Sequence, residues 1–170
     1  MSDPSAGLTL GFLTVLQDAT GFQGGYLVTN AWGRPLEFRL TTAVQPNRVQ
    51  QILYGATLTD YIHADLIGKT LVEKTAVTPS LIITDVAAVL PLRAKVEMPV
   101  IALGDGETTL KHDRSSTPLS FLTQFEADRD AIITLLDKLD SSMDLAEPFS
   151  RIREAVTEAR KTGAITRAAA

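Results

Sequence analysis

Leu81-Ile82-Ile83-Thr84-Asp85 (LIITD) is an unbroken apolar run closed by a hydroxyl and a carboxylate. Its branched residues favour an extended chain, and its length suits a strand rather than a helix. A strand that is apolar on both sides is buried on both faces, and such a strand usually has a parallel neighbour. Pro99–Leu103 (PVIAL) repeats the pattern and is closed by Gly104-Asp105-Gly106. Val86–Val96, between them, holds enough apolar residues for a short helix, and Pro91 limits where that helix can start. Two buried strands joined by a helix make a parallel βαβ unit with a right-handed crossover.

The chain before this unit reads differently. Leu8–Leu16 (LTLGFLTVL) is rich in strand formers, and Asp18–Gly25 (DATGFQGG) reads as a glycine-rich loop. Gly25–Asn30 (GYLVTN) is a second strand, and Trp32-Gly33-Arg34-Pro35 is a turn. Leu36–Thr42 (LEFRLTT) alternates: Leu36, Phe38 and Leu40 face one way, Glu37, Arg39 and Thr41 the other, as in a half-buried strand. Short loops between three strands predict an antiparallel meander. Pro46 ends it, and Asn47 can cap a helix opening at Arg48, with Val49, Ile52, Leu53 and Ala56 at helical spacing. Gly55 weakens the middle. Thr57 with Asp60 can cap a second segment from Leu58 to about Lys74, with Tyr61, Ile62, Leu66, Leu71 and Val72 as its apolar positions.

After the βαβ unit, Gly106–Pro118 is polar and reads as a surface loop. Phe121–Leu139 is an amphipathic helix with Phe125, Ile132, Leu136 and Leu139 on its apolar face. Pro148 suits the first turn of a last helix, Phe149, Ile152, Val156 and Ala159 form its stripe, and Gly163 suits its end. The expected order is β-β-β-α-β-α-β and then two helices, an α/β protein with a mixed sheet. Residues 8–163 form a single domain, 1–7 a flexible N-terminus and 164–170 a frayed tail.

Composition bounds the function. The chain has 170 residues, enough for one domain with a sizeable core. A 45% hydrophobic and 21% charged composition excludes a disordered chain. The net charge of −4 argues against charge-driven binding to nucleic acid or an anionic membrane. With no cysteine, disulfides, thiolate catalysis and cysteine zinc sites are impossible. No Lys or Arg precedes Leu8, so a secretory signal is missing its basic start. No run approaches the roughly 18 apolar residues of a membrane span. The expectation is a cytoplasmic protein without a membrane partner.

The most unusual stretch is Gly24–Gln51. It gathers Trp32, the only tryptophan, with Tyr26, Arg34, Arg39 and Arg48 around a single acid, Glu37. Trp, Tyr and Arg dominate protein interfaces, so these residues are the candidate binding set, for a protein partner or a second copy of the chain. Single-stranded nucleic acid, through stacking and phosphate contacts, is the lesser alternative. The bland reading has Trp32 capping the core and Arg39 pairing with Glu37. Gly21–Gly25 (GFQGG) lacks the Lys and Ser/Thr of a phosphate-binding loop. His63 and His112 are read as solvated. No nucleophile motif is present, no cofactor is expected, and whether the chain is an enzyme stays open. The leading expectation is a non-catalytic binding or assembly protein.

Three resemblances add expectations. The stretch from Gly24, through Gln51-Ile52-Leu53-Tyr54-Gly55 and Leu66–Lys74 (LIGKTLVEK), is similar to an uncharacterised family of conserved hypothetical proteins from planctomycete-type bacteria. That implies a bacterial, cytoplasmic origin and no particular activity. The element order over roughly the first 105 residues resembles the ribonuclease H-like fold. This likeness implies that Asp85, with Glu37 or Asp65, helps hold two Mg²⁺ ions for phosphodiester cleavage, or that the chain is an inactive nucleic-acid-binding relative. The family's first-strand Asp has no counterpart, since Leu8–Leu16 holds no acid. LIITD and PVIAL also look like two strands of a response-regulator receiver domain, which implies a phosphoacceptor at Asp85. The likeness lacks that family's paired acids.

Overall fold

The computed structural model describes residues 7–162. The expected flexible start (apart from Gly7), the Gly163 helix stop and the frayed tail lie outside the described residues. Seven strands form one mixed sheet: β1 (Thr9–Asp18), β2 (Gly21–Asn30), β3 (Pro35–Leu40), β4 (Leu81–Thr84), β5 (Val100–Leu103), β6 (Thr108–Leu110) and β7 (Leu119–Phe121). Their order across the sheet is β3-β2-β1-β4-β5-β7-β6. The α/β class with a mixed sheet is the expected one. β4 is buried along its whole length and pairs in parallel with both β1 and β5. LIITD is apolar on both faces because Leu81 and Ile83 enter one core and Ile82 the other.

Side chains alternate between two cores. Leu10, Phe12, Leu27, Leu81, Ile83 and Ile101 face one side, where α3 (Arg129–Asp137) and α4 (Glu147–Thr162) supply Ile132, Leu136, Phe149, Ile152 and Val156. Leu13, Tyr26, Val28, Ile82 and Val100 face the other, covered by residues 58–73 and by the 3₁₀ segment Ala87–Lys95. Full burial of a Leu, Ile or Phe side chain contributes about 1.5–3 kcal/mol, so the central strands anchor the fold.

Several expectations need correction. The glycine-rich stretch is strand, and only Ala19-Thr20 separates β1 from β2. The turn is held by Asp18, whose Oδ1 accepts from the Thr20 amide at 2.8 Å and from its hydroxyl. Glycines occur here because helices press on both faces. A Cβ on Gly24 would lie 2.3 Å from Ile67 Cγ2, and one on Gly25 would lie 2.6 Å from Ile152 Cγ2. The polar loop contains β6, and Leu119–Phe121 is a fully buried strand rather than loop and helix start. The amphipathic helix begins only at Arg129, after a 3₁₀ segment, Thr123–Asp128, that Phe125 interrupts with non-helical angles. The crossover between β4 and β5 is 3₁₀ and carries Pro91 within it, since a proline removes the α-helical bond at its own position.

The first helical region also departs in detail. α1 (Arg48–Tyr54) is capped as expected, with Asn47 and Gln50 forming a reciprocal capping box. Thr57 does not cap the next segment. Its hydroxyl donates back to the Tyr54 carbonyl at 2.6 Å. The helical run over 58–73, α2, is π-helical across Tyr61–Gly68 and buries Ile62, His63, Ala64, Ile67 and Gly68. No helix of the described residues is long and apolar enough to cross a membrane.

Candidate functional site

β3 lies at one edge of the sheet, paired to β2 on one side only. The turn before it is rigid. Asn30 Oδ1 accepts from the backbone amides of Trp32 and Arg34, each at 2.9 Å. Gly33 adopts φ +86°, a conformation that favours glycine, and its carbonyl accepts from Arg151 Nη1 of α4 at 2.7 Å. Ala31 is sealed into the core, whereas Trp32 is 52% exposed. The indole stands out from a fixed turn rather than capping the core.

The alternation of β3 is as read from Glu37 to Leu40 and breaks at Leu36, where the register shifts, and its apolar side is not covered. Leu36 and Phe38 are both exposed, and Leu40 packs only partly against the α3/α4 core. α4 lies on β2 and β1. α1, the next element, buries none of its residues. Its apolar positions Val49, Ile52 and Leu53 are 62%, 63% and 77% exposed. The six exposed large apolar side chains among the described residues all fall between Trp32 and Leu53.

The candidate binding residues do not form one patch. Tyr26 is fully buried, so its place in the binding set is a misreading. It lies across Gly11, where a Cβ would come within 2.9 Å of the phenol oxygen, and burial pushes the phenol above its usual range. Arg39 points to the α2 side, the face away from Phe38 and Leu40, and is paired with Glu37. Arg34 and Arg48 are exposed at the two ends of the edge, before and after β3. Neither reaches a carboxylate among the described residues.

The carboxylates of the nuclease reading are likewise kept apart. Glu37 is held in a nest made by the segment after α2. Its Oε1 accepts from the Thr75 hydroxyl at 2.7 Å and from the Ala76 and Val77 amides at 2.9 and 3.0 Å. Its Oε2 accepts from Arg39 Nε. Burial opposes ionisation, but the Thr75 hydroxyl, the two amides and the Arg39 guanidinium outweigh it and hold the carboxyl at about 2. Asp85 follows β4 on the opposite face of the sheet, where Arg153 of α4 donates to its Oδ2. Its Oδ1 is buried and has no hydrogen-bond partner among the described residues. Asp65 sits half-buried in the π-helical segment, on the α2 side. Among the described residues no three His, Asp or Glu side chains come together as metal ligands. The sequence gives no direct sign of which face a strand-end acid occupies.

Neither histidine is solvated as read. His63 is buried, with Nδ1 2.7 Å from the Thr59 carbonyl and the Phe22 ring edge-on at 5.3 Å. His112 Nε2 lies 2.7 Å from Asp137 and ties the loop after β6 to α3. The exposed apolar residues Leu36, Phe38, Val49, Ile52 and Leu53 were outside the candidate set read from the sequence, the first two placed in a half-buried strand and the others at helical spacing. The available signal was positional. The last strand of a meander is an edge by default, and a helix interrupted by Gly55 one turn later has no fixed face to bury. Neither a scan against protein-family models nor a search of curated proteins finds a match to this sequence.

Proposed function

We propose that this protein is a non-catalytic binding or assembly module that covers its β3 edge and α1 with another polypeptide chain. One observation carries the reading: large apolar side chains are exposed in one stretch, on an edge strand and on a helix that buries nothing. Exposed apolar clusters of this kind mark interaction sites, because leaving them in water forgoes roughly 25 cal/mol per Å² of area that could be buried. Trp32 on a rigid turn supplies an anchor whose backbone ordering cost is already met by the fold, and Arg34 and Arg48 supply exposed cations at the rim. The net charge of −4 favours a protein partner over a nucleic acid.

The test uses two variants, Trp32→Ala with Arg34→Ala and Ile52→Glu with Leu53→Glu. Mass in solution and retention of co-purifying proteins from source-cell extract are compared with the wild type. Loss of an assembly or of a retained partner in both variants supports the reading. Assemblies and partners unchanged in both overturn it.

A further inference from the structure

The occupant of the β3 edge can be read from the strand itself. Resting on the interface reading above, we infer that β3 pairs antiparallel with β3 of a second copy about a two-fold axis at Phe38, joining two sheets into one. Thr41 donates to the Gly24 carbonyl at 3.0 Å, so residues 41, 39 and 37 bond inward to β2. Phe38 and Leu40 then turn their amides and carbonyls outward, and Leu36 is the extra residue of a bulge, where the register passes from Val28 opposite Glu37 to Thr29 opposite Pro35. No backbone group from outside the sheet bonds to these three residues among the described residues. Pro35 has no amide hydrogen, which limits the free edge to residues 36–40.

The sequence of that edge, Leu36-Glu37-Phe38-Arg39-Leu40, is complementary to itself when reversed. Outward-bonding residues must face outward-bonding residues, so two-fold pairings within the strand can centre on residue 37, 38 or 39. Centring on Glu37 sets two carboxylates against each other, and centring on Arg39 sets two guanidinium groups against each other. Like charges directly opposite are destabilising. Centring on Phe38 puts each Glu37 opposite the second copy's Arg39 on the α2 face. On the other face it puts Phe38 against Phe38, with each Leu40 opposite the second copy's Leu36 bulge. Only this register matches charge and apolarity together.

The same register accounts for the rest of the exposed apolar surface. Pairing of five residues alone buries less than the roughly 1,600 Å² of a typical stable interface. Antiparallel pairing brings the Trp32 turn of one copy alongside Val44 of the other, four residues before α1 opens. The two apolar zones, far apart at the ends of β3 in one chain, become neighbours across the axis. A two-fold axis makes the contact twice.

The natural chain has no cysteine, so single thiols report contacts without background. Cα atoms of a hydrogen-bonded antiparallel pair are about 5.5 Å apart, within disulfide range. Phe38→Cys chains at micromolar concentration, oxidised in air, are expected to link into dimers on the order of a hundredfold faster than Leu53→Cys chains, because paired residues see a millimolar effective concentration. Leu36→Cys is expected to link to Leu40→Cys when the two are mixed and not to itself. Phe38→Cys linking no faster than Leu53→Cys, or Leu36→Cys linking to itself, overturns the pairing. Wild-type protein of monomer mass at all concentrations also overturns it. If that monomer still loses a foreign partner in the Trp32 and Ile52 variants, the interface reading stands without the second copy.

Discussion

Glu37→Gln isolates the charge of a side chain that ties the edge strand to the segment after α2. The carboxyl titrates at about 2 when folded against an ordinary 4.5, so its charged form is favoured by folding. At 1.36 kcal/mol per pKa unit this corresponds to an upper limit of about 3.4 kcal/mol. Water reaches the outer side of the Glu37–Arg39 pair, and the isosteric amide still accepts hydrogen bonds, so the loss expected at pH 7 is about 1.5–2 kcal/mol. The sign follows from the depressed folded value: the stabilisation is complete above pH 4.5 and is lost as pH falls through about 2. Urea unfolding of both proteins at pH 7, 4 and 2.5 measures it. The gap between wild type and variant is expected to shrink steadily across that range. A gap of the same size at pH 7 and pH 2.5 would refute the reasoning, since the carboxylate's charge would then not be the stabilising element.

Other outcomes follow from the packing. Gly24→Ala is expected to cost about 1–3 kcal/mol in thermal unfolding, because its Cβ would meet Ile67 at 2.3 Å and Leu71 at 2.9 Å; a melt equal to the wild type's would show that α2 can shift freely. Asn30→Ala removes the acceptor for two turn amides and is expected to cost about 1–2 kcal/mol, read by denaturant midpoint. Ile52→Glu with Leu53→Glu is expected to leave monomer stability within about 0.5 kcal/mol, because α1 buries nothing, while weakening any assembly; a large fall in monomer stability would place α1 against the core.

The fold was legible where burial and period agree. LIITD and PVIAL are apolar on both faces because both lie inside the sheet with a core on each side, and that physical state leaves a direct trace in composition. The capping box at Asn47 was legible for a similar reason, since it is local. The glycines of β2 were not, because helix packing onto a strand and a flexible loop select the same residue. β6 and β7 were hidden by their shortness, three residues each being too few to show a period. At the candidate surface, Trp32, Arg34 and Arg48 are exposed as read, and Tyr26 is not. The apolar edge was invisible because an alternating strand looks the same whether its apolar face meets a core or a second chain. Leu36 and Phe38 differ from Leu27 only in what lies above them.

Trp32 reports on the central claim, that the apolar edge between Trp32 and Leu53 is covered by another chain, because it is the only tryptophan. Its emission and acrylamide quenching can be followed over a wide concentration range alongside mass. The account predicts a blue-shifted, quencher-protected indole at twice the 18.3 kDa chain mass, reverting to an exposed indole on dilution and in the Ile52→Glu, Leu53→Glu protein. An indole equally open to quencher at every concentration, in a protein that stays at 18.3 kDa and gains no protection from any partner, would contradict it.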